Sequence, residues 1–148
     1  MNIQNITHEE WMWWKPLENL PAQCWIDTID IKAGQLIILV SDDKETCTIS
    51  LKFNNNFHMY KITEENCTLE LLDDIIVKYG KPFVYDSAFY LIHNSSYVEW
   101  LVQQSKGWLQ ADKLYHYCIF GVDSVLDVIA SQEPEVKITY NESELSKD

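Results

Sequence analysis

The sequence predicts an α+β domain: one twisted antiparallel sheet, made of an N-terminal four-strand meander and a C-terminal hairpin, with two main helices packed mainly on one face. Three observations predict it. Short apolar runs separated by polar turns fill residues 24–63. The apolar period then lengthens to the helical one over 66–82 and again over 96–107. Two further strand-like segments, 113–121 and 124–131, are close enough to pair through a turn at Val122-Asp123. At 148 residues the chain is expected to form a single domain, 1–148, with a core of its own.

The N-terminal segment, about 1–20, is expected to be helical. In "THEEWMWWKPLENL" (7–20), Thr7 stands as N-cap and Glu10 lies three residues on, the capping-box spacing. Pro16 limits that helix to about two turns. Trp11 and Trp14 would share a face, which assigns them to the core and leaves Trp13 for the surface.

The meander follows. "CWIDTIDIK" (24–32) puts Trp25, Ile29 and Ile31 on one side, and Ala33-Gly34 turns the chain. "QLIILVS" (35–41) is continuously apolar, as a strand covered on both faces would be. "TCTISLKF" (46–53) alternates, with Cys47, Ile49, Leu51 and Phe53 inward. Asn54-Asn55-Asn56 tolerates positive φ and suits a tight hairpin back into "FHMYKIT" (57–63).

In the helix over 66–82, Leu71, Leu72, Ile75, Ile76 and Tyr79 form an apolar stripe, Gly80 fits the C-terminal cap and Pro82 follows. "FVYDSAFYLIH" (83–93) supplies one or two short strands. Ser96 and Glu99 repeat the capping box on a second helix that ends at Gly107, with Tyr97, Trp100, Leu101 and Gln104 on one face. "KLYHYCIFG" (113–121) is a strand; "SVLDVIAS" (124–131) has strand composition, with a helix as the alternative. Residues 137–148 are expected to fray.

Charge narrows the function classes. The formal net charge is −12, and all 11 basic residues are lysine. Arginine is the usual fork for phosphate and the commonest anchor on DNA bases. Its absence, at this charge, argues against nucleic acid as a partner. Net charge of this size also aids solubility, so acidity alone assigns no function. No apolar run approaches a membrane span, so no membrane partner is expected. "MNIQNITHEEW" has neither a basic n-region nor an apolar h-region, and the expected compartment is the cytoplasm. Cys24, Cys47, Cys67 and Cys118 are scattered and form no C-x-x-C pair; they are expected as buried free thiols, with no metal and no cofactor.

No catalytic residue is nominated. His8, His58, His93 and His116 form no close-spaced ligand pair, and the glycine-rich phosphate loops and the G-x-S-x-G turn are missing. His116 is expected as a half-buried structural histidine, on one strand face with Cys118. The carboxylates are more telling. Glu64-Glu65 and Asp73-Asp74 are doublets, and Glu70, Asp73 and Asp74 lie at i, i+3, i+4 on one helix. Like charges so placed cost about 0.2–0.5 kcal/mol per pair. Lys78 is spaced to relieve Asp74, and no lysine lies four residues from Asp73. Glu64, Glu65, Glu70, Asp73 and Asp74 are therefore the candidate contacts for a basic partner, with Trp13 as a second candidate surface.

The last third carries a resemblance. "NSSYVEWLVQQSKGW" followed by "LYHYCIFGVDSVLDVIASQEPEV" is similar to small immunity proteins of bacterial polymorphic toxin and contact-dependent inhibition systems. There a capped helix precedes an "HY-x-I" strand, a short turn and a "DV" segment ending near E-P-E. The resemblance implies a protein that is not an enzyme and inhibits by binding. Its partner would be a cognate toxin domain, and the charge matches a basic nuclease. The alternatives are a small-ligand protein or enzyme with an aromatic pocket around Tyr115-His116-Tyr117, or a DNA-mimic regulator.

Overall fold

The alternation of "TISLKF" is realised as a strand with one dry face. Strand β4 (Cys47–Asn54) buries Cys47, Ile49, Leu51 and Phe53, while Thr48, Ser50 and Lys52 stay half-buried on the other side. It lies inside a four-stranded antiparallel sheet with β2 (Cys24–Lys32), β3 (Gln35–Asp42) and β9 (Glu135–Tyr140), in the order β2-β3-β4-β9. A second antiparallel sheet holds β1 (Glu10–Trp13), β6 (Phe89–His93), β7 (Tyr115–Phe120), β8 (Ser124–Ala130) and β5 (Phe57–Glu64), in the order β1-β6-β7-β8-β5. Helices α1 (Leu69–Tyr79), α2 (Lys81–Tyr85) and α3 (Ser96–Gln104) complete an α+β fold. The computed structural model describes residues 4–141.

The layers follow from side-chain alternation in β7 and β8. Tyr117, Ile119, Leu126, Val128 and Ala130 join Leu36, Ile38, Val40, Ile49, Leu51 and Phe53 in a core between the sheets. Cys118 and Val125 point the other way, into a second core with Ile75, Tyr90, Ile92 and Trp11 beneath α1 and α2. The order is helices, five-stranded sheet, four-stranded sheet. Among the described residues, no helix is long and apolar enough to cross a membrane.

The sheet expected from sequence is thus two sheets, and the physical reason lies in β9. Residues 137–140, expected to fray, belong to β9, which takes the second edge of β4 and pairs Ile138 with Ile49 and Glu135 with Lys52. Val136 and Ile138 pack against the core between the sheets. The fourth strand of the expected meander, β5, therefore leaves after Asn54–Asn56 and pairs with β8. Asn55 does take positive φ; the Ala33-Gly34 turn needs glycine, because Gly34 has φ +79° and the Asn55 carboxamide sits where its Cβ would be. Residues 142–148 of the expected tail lie outside the described residues.

The N-terminal helix is also replaced by a strand. Trp11 pairs with Ile92 and Trp13 with Tyr90 across the β1–β6 ladder, and tertiary pairing of these aromatic residues prevails over the capping-box spacing. Trp11 is only 4% exposed and packs edge-on against Tyr90. Trp14, past the strand end, turns to the other core and lies 4.7 Å from the Tyr117 ring. Both are core residues, as expected, but in two different cores rather than on one face.

Smaller corrections have local causes. A bulge between Ile26 and Thr28 resets β2, so that Cys24, Ile26 and Ile29 join the core and Trp25 is exposed. On β3 only Leu36, Ile38 and Val40 are fully buried; Ile37 and Leu39 are half-buried. Residues 83–85, expected as extended, are helical within α2. The cap of α3 is Ser95, one residue earlier than expected: its hydroxyl accepts the Val98 N–H at 3.1 Å. The α3 side that is buried carries Val98, and Trp100 is exposed. Residues 124–131 follow the strand expectation, with Gly121 N–H bonded to Ser124 O at the turn.

Candidate functional site

The nominated carboxylates are delivered by one continuous stretch. Glu64 ends β5, Glu65 opens a 3-10 turn (Glu65–Cys67), Glu70 lies in the first turn of α1, and Asp73 and Asp74 follow on that helix. All are exposed. The ion pair among the described residues is Lys61–Asp127, with His116 hydrogen-bonded to the same carboxylate, so none of these carboxylates is neutralised by one. Lys78 does not relieve Asp74: its ammonium donates to the carbonyls of Ile6 (3.0 Å) and Glu9 (2.6 Å). Glu64 accepts the Asn66 amide at 3.0 Å.

Helix α1 divides the set. Glu65, with Thr68 and Leu72, lines a cavity of about 240 Å³ that reaches α2 and the β7–β8 turn. Glu70 and Asp74 line another, of about 260 Å³, with Lys61 and Tyr97. Trp13 is not part of the acidic stretch. It is 39% exposed, stacks on Phe83 with ring centroids 5.9 Å apart, and donates its indole N–H to the Phe83 carbonyl at 2.8 Å. The Lys15 ammonium lies 5.0 Å over its ring.

Beneath the helices runs a buried polar chain that sequence reasoning did not assemble. His116 is 1% exposed, fully rather than half-buried. Its Nε2 lies 2.7 Å from Asp127 Oδ1, and its Nδ1 lies 2.6 Å from Ser95 Oγ. The Lys61 ammonium reaches the other Asp127 oxygen at 3.3 Å. One neutral tautomer satisfies every atom: Nε2–H donates to Asp127, the Ser95 hydroxyl donates to Nδ1, and Val98 N–H donates to Ser95 Oγ. Burial pushes the Asp127 pKa up, but His116 and Lys61 more than offset it and hold the carboxyl below the usual range. Burial pulls the Lys61 pKa down, and Asp127 and Tyr97 more than restore it. Burial, with Asp127 beside it, pushes the Cys118 thiol well up.

Ser95, His116 and Asp127 are the residue types of a hydrolase triad, with the ring reversed. In the triad the serine meets Nε2 and the acid meets Nδ1. Here Ser95 also caps α3 and is 3% exposed, although it forms part of the wall of a 410 Å³ cavity with Glu99, Asp112 and Tyr115. Tyr115 lines that cavity, but neither His116 nor Tyr117 does. Tyr117 turns into the core between the sheets, and His116 turns toward the helices.

Glu9 is the other residue missed. It is fully buried, and its carboxylate accepts the Ser96 N–H at 2.9 Å and the Trp11 indole N–H at 3.2 Å. A carboxylate at the start of α3 suits the helix dipole. The available signal was a lone acid inside an apolar strand, Asp127 in "SVLDVIA". Its register against β7 (Asp127 opposite Cys118) is a long-range fact that spacing does not carry. Among the described residues, no three His, Cys, Asp or Glu side chains converge to hold a metal ion. No family model matches this chain, and no curated protein or solved structure matches it.

Proposed function

We propose that the chain is a non-catalytic immunity protein that binds a basic toxin domain, a nuclease by preference, in the cytoplasm and covers its active or substrate-binding surface. One observation carries this reading. Glu64, Glu65, Glu70, Asp73 and Asp74 stand exposed along one stretch, with no ion pair among the described residues, on a chain of net charge −12. A field of one sign steers an oppositely charged partner and raises association rates to roughly 10⁸–10⁹ M⁻¹s⁻¹ at low salt. Rapid capture is what neutralising a toxin requires. The resemblance over residues 94–108 and 114–136 points to the same reading.

On this reading the neighbouring gene should encode a large secreted protein with a basic C-terminal toxin domain, and the test is stopped-flow association with that domain. The on-rate should fall at least tenfold between about 20 and about 300 mM NaCl. Replacing Glu64, Glu65 and Glu70 by Gln, and Asp73 and Asp74 by Asn, should slow it similarly and flatten the salt dependence. Tight association indifferent to salt would sink the choice of contacts. Substrate turnover by the purified chain, lost on changing one cleft residue, would sink the reading itself.

An enzymatic reading has one observation of its own, the Ser95–His116–Asp127 chain, whose Ser95 end forms part of a cavity wall. It requires covalent labelling of Ser95 by a fluorophosphonate, abolished by His116→Gln. The binding reading expects no labelling.

A further inference from the structure

The cavity beside Glu65 differs in chemistry from its neighbour across α1. Its walls are apolar, formed by Leu72, Val84, Tyr85, Phe120 and Val122, and its lining contains no lysine or histidine. The neighbour contains Lys61. Hydrogen bonds fix its frame: Val122 N–H donates to Cys24 O at 2.8 Å, Glu65 N–H to Asp123 O at 2.9 Å, and the Thr68 hydroxyl to Glu65 O at 2.7 Å. The backbone around Glu65 is therefore held, while its carboxylate is exposed and in no ion pair among the described residues.

We infer that this cavity is the anchor site for one basic side chain, arginine or lysine, of the partner protein. The inference deepens the function proposed above and rests on it for the partner's identity. Its volume of about 240 Å³ falls below the roughly 300–1,000 Å³ typical of small-molecule sites, so it takes one long side chain rather than a whole ligand. Such side chains lay an apolar stem along apolar surface and keep the charged head in water. Here the stem meets Leu72, Val84 and Val122, and the head meets Glu65 at the solvent side. Interface hot spots are commonly long or aromatic side chains seated in preformed pockets, arginine prominent among them.

The experiment is an amide NMR titration of the full chain with n-butylguanidinium, and separately with n-pentylammonium and the uncharged n-pentanol. Both cations should give saturable shifts confined to Thr68, Leu72, Tyr85, Gly121 and Val122, and should bind at least fivefold more tightly than pentanol. Glu65→Gln should erase that preference and leave pentanol binding unchanged. Asp30→Asn removes an exposed charge on β2, outside the cavity and outside the proposed contacts, and should change neither. Pentanol binding as tightly as the cations, an unaltered preference in Glu65→Gln, or equal losses in both variants would overturn the anchor. Because the ligand is a small cation, that failure leaves the salt dependence of toxin association to stand or fall separately.

Discussion

At the residue scale, Asp127 holds the heaviest electrostatic role. It is 3% exposed and accepts from both His116 and Lys61. Removing one partner of such a buried set costs about 3–5 kcal/mol, and Asp127→Asn should lower the urea midpoint accordingly. The effect should depend on pH. The folded state holds the Asp127 proton more weakly than the unfolded chain does, so the unfolded state binds more protons and stability rises with pH. The contribution is complete above the unfolded carboxyl pKa, about 3.9, and is lost as pH falls through the lower folded value. The gap between wild type and Asp127→Asn should therefore narrow in urea melts taken toward about pH 3. The tryptophans give a second comparison. Trp11→Ala removes a ring that is 4% exposed and should cost about 3–5 kcal/mol. Trp13→Ala removes a ring that is 39% exposed, with its stacking on Phe83, about 0.5–1.5 kcal/mol, and an exposed hydrogen bond to the Phe83 carbonyl, and should cost less than Trp11→Ala. Equal costs in equilibrium unfolding would contradict this placement. Local signals made the exposed carboxylates legible, because charge and spacing decide exposure on a helix. Partners far apart in sequence were not legible: Glu9 bonds Ser96, 87 residues away, and Lys78 bonds the Glu9 carbonyl, 69 residues away.

At the element scale, period-based reading succeeded where one face alone decides. The alternation in β4, the apolar stripe of α1 and its stop at Gly80 are all realised. Reading failed where a distant partner decides. The segment 10–13 fits helical and extended spacing alike, and β6 selects the strand. The tail is polar enough to fray, and β4 captures its first residues, 137–140, in β9. Truncation after Pro134 tests that role. It removes Val136 and Ile138 from the core and strips the β4 edge. Two half-buried side chains and a ladder amount to about 3 kcal/mol, so the thermal midpoint should fall by roughly 10 °C. An unchanged midpoint would restore the tail to the role its composition predicts. The bare edge should also promote association between copies, visible by light scattering.

At the scale of the whole molecule, the charge of −12 works against the compact state. Salt screens that repulsion, so the thermal midpoint should rise between about 20 and about 300 mM NaCl. The triple variant Glu70→Gln, Asp73→Asn, Asp74→Asn should be more stable than wild type at low salt, with the difference vanishing at high salt. A midpoint that falls with salt would mean that attractive pairs dominate the surface. The thiols are distributed with similar asymmetry. Cys24, Cys47 and Cys118 are buried, and burial pushes the Cys24 thiol up to about 12. Cys67 alone is exposed, beside Glu65 and Glu70. A maleimide dye should thus couple at a single position, next to the surface where a binder would land. In air without reductant, the native protein should become a covalent dimer through Cys67 that Cys67→Ser abolishes on a non-reducing gel.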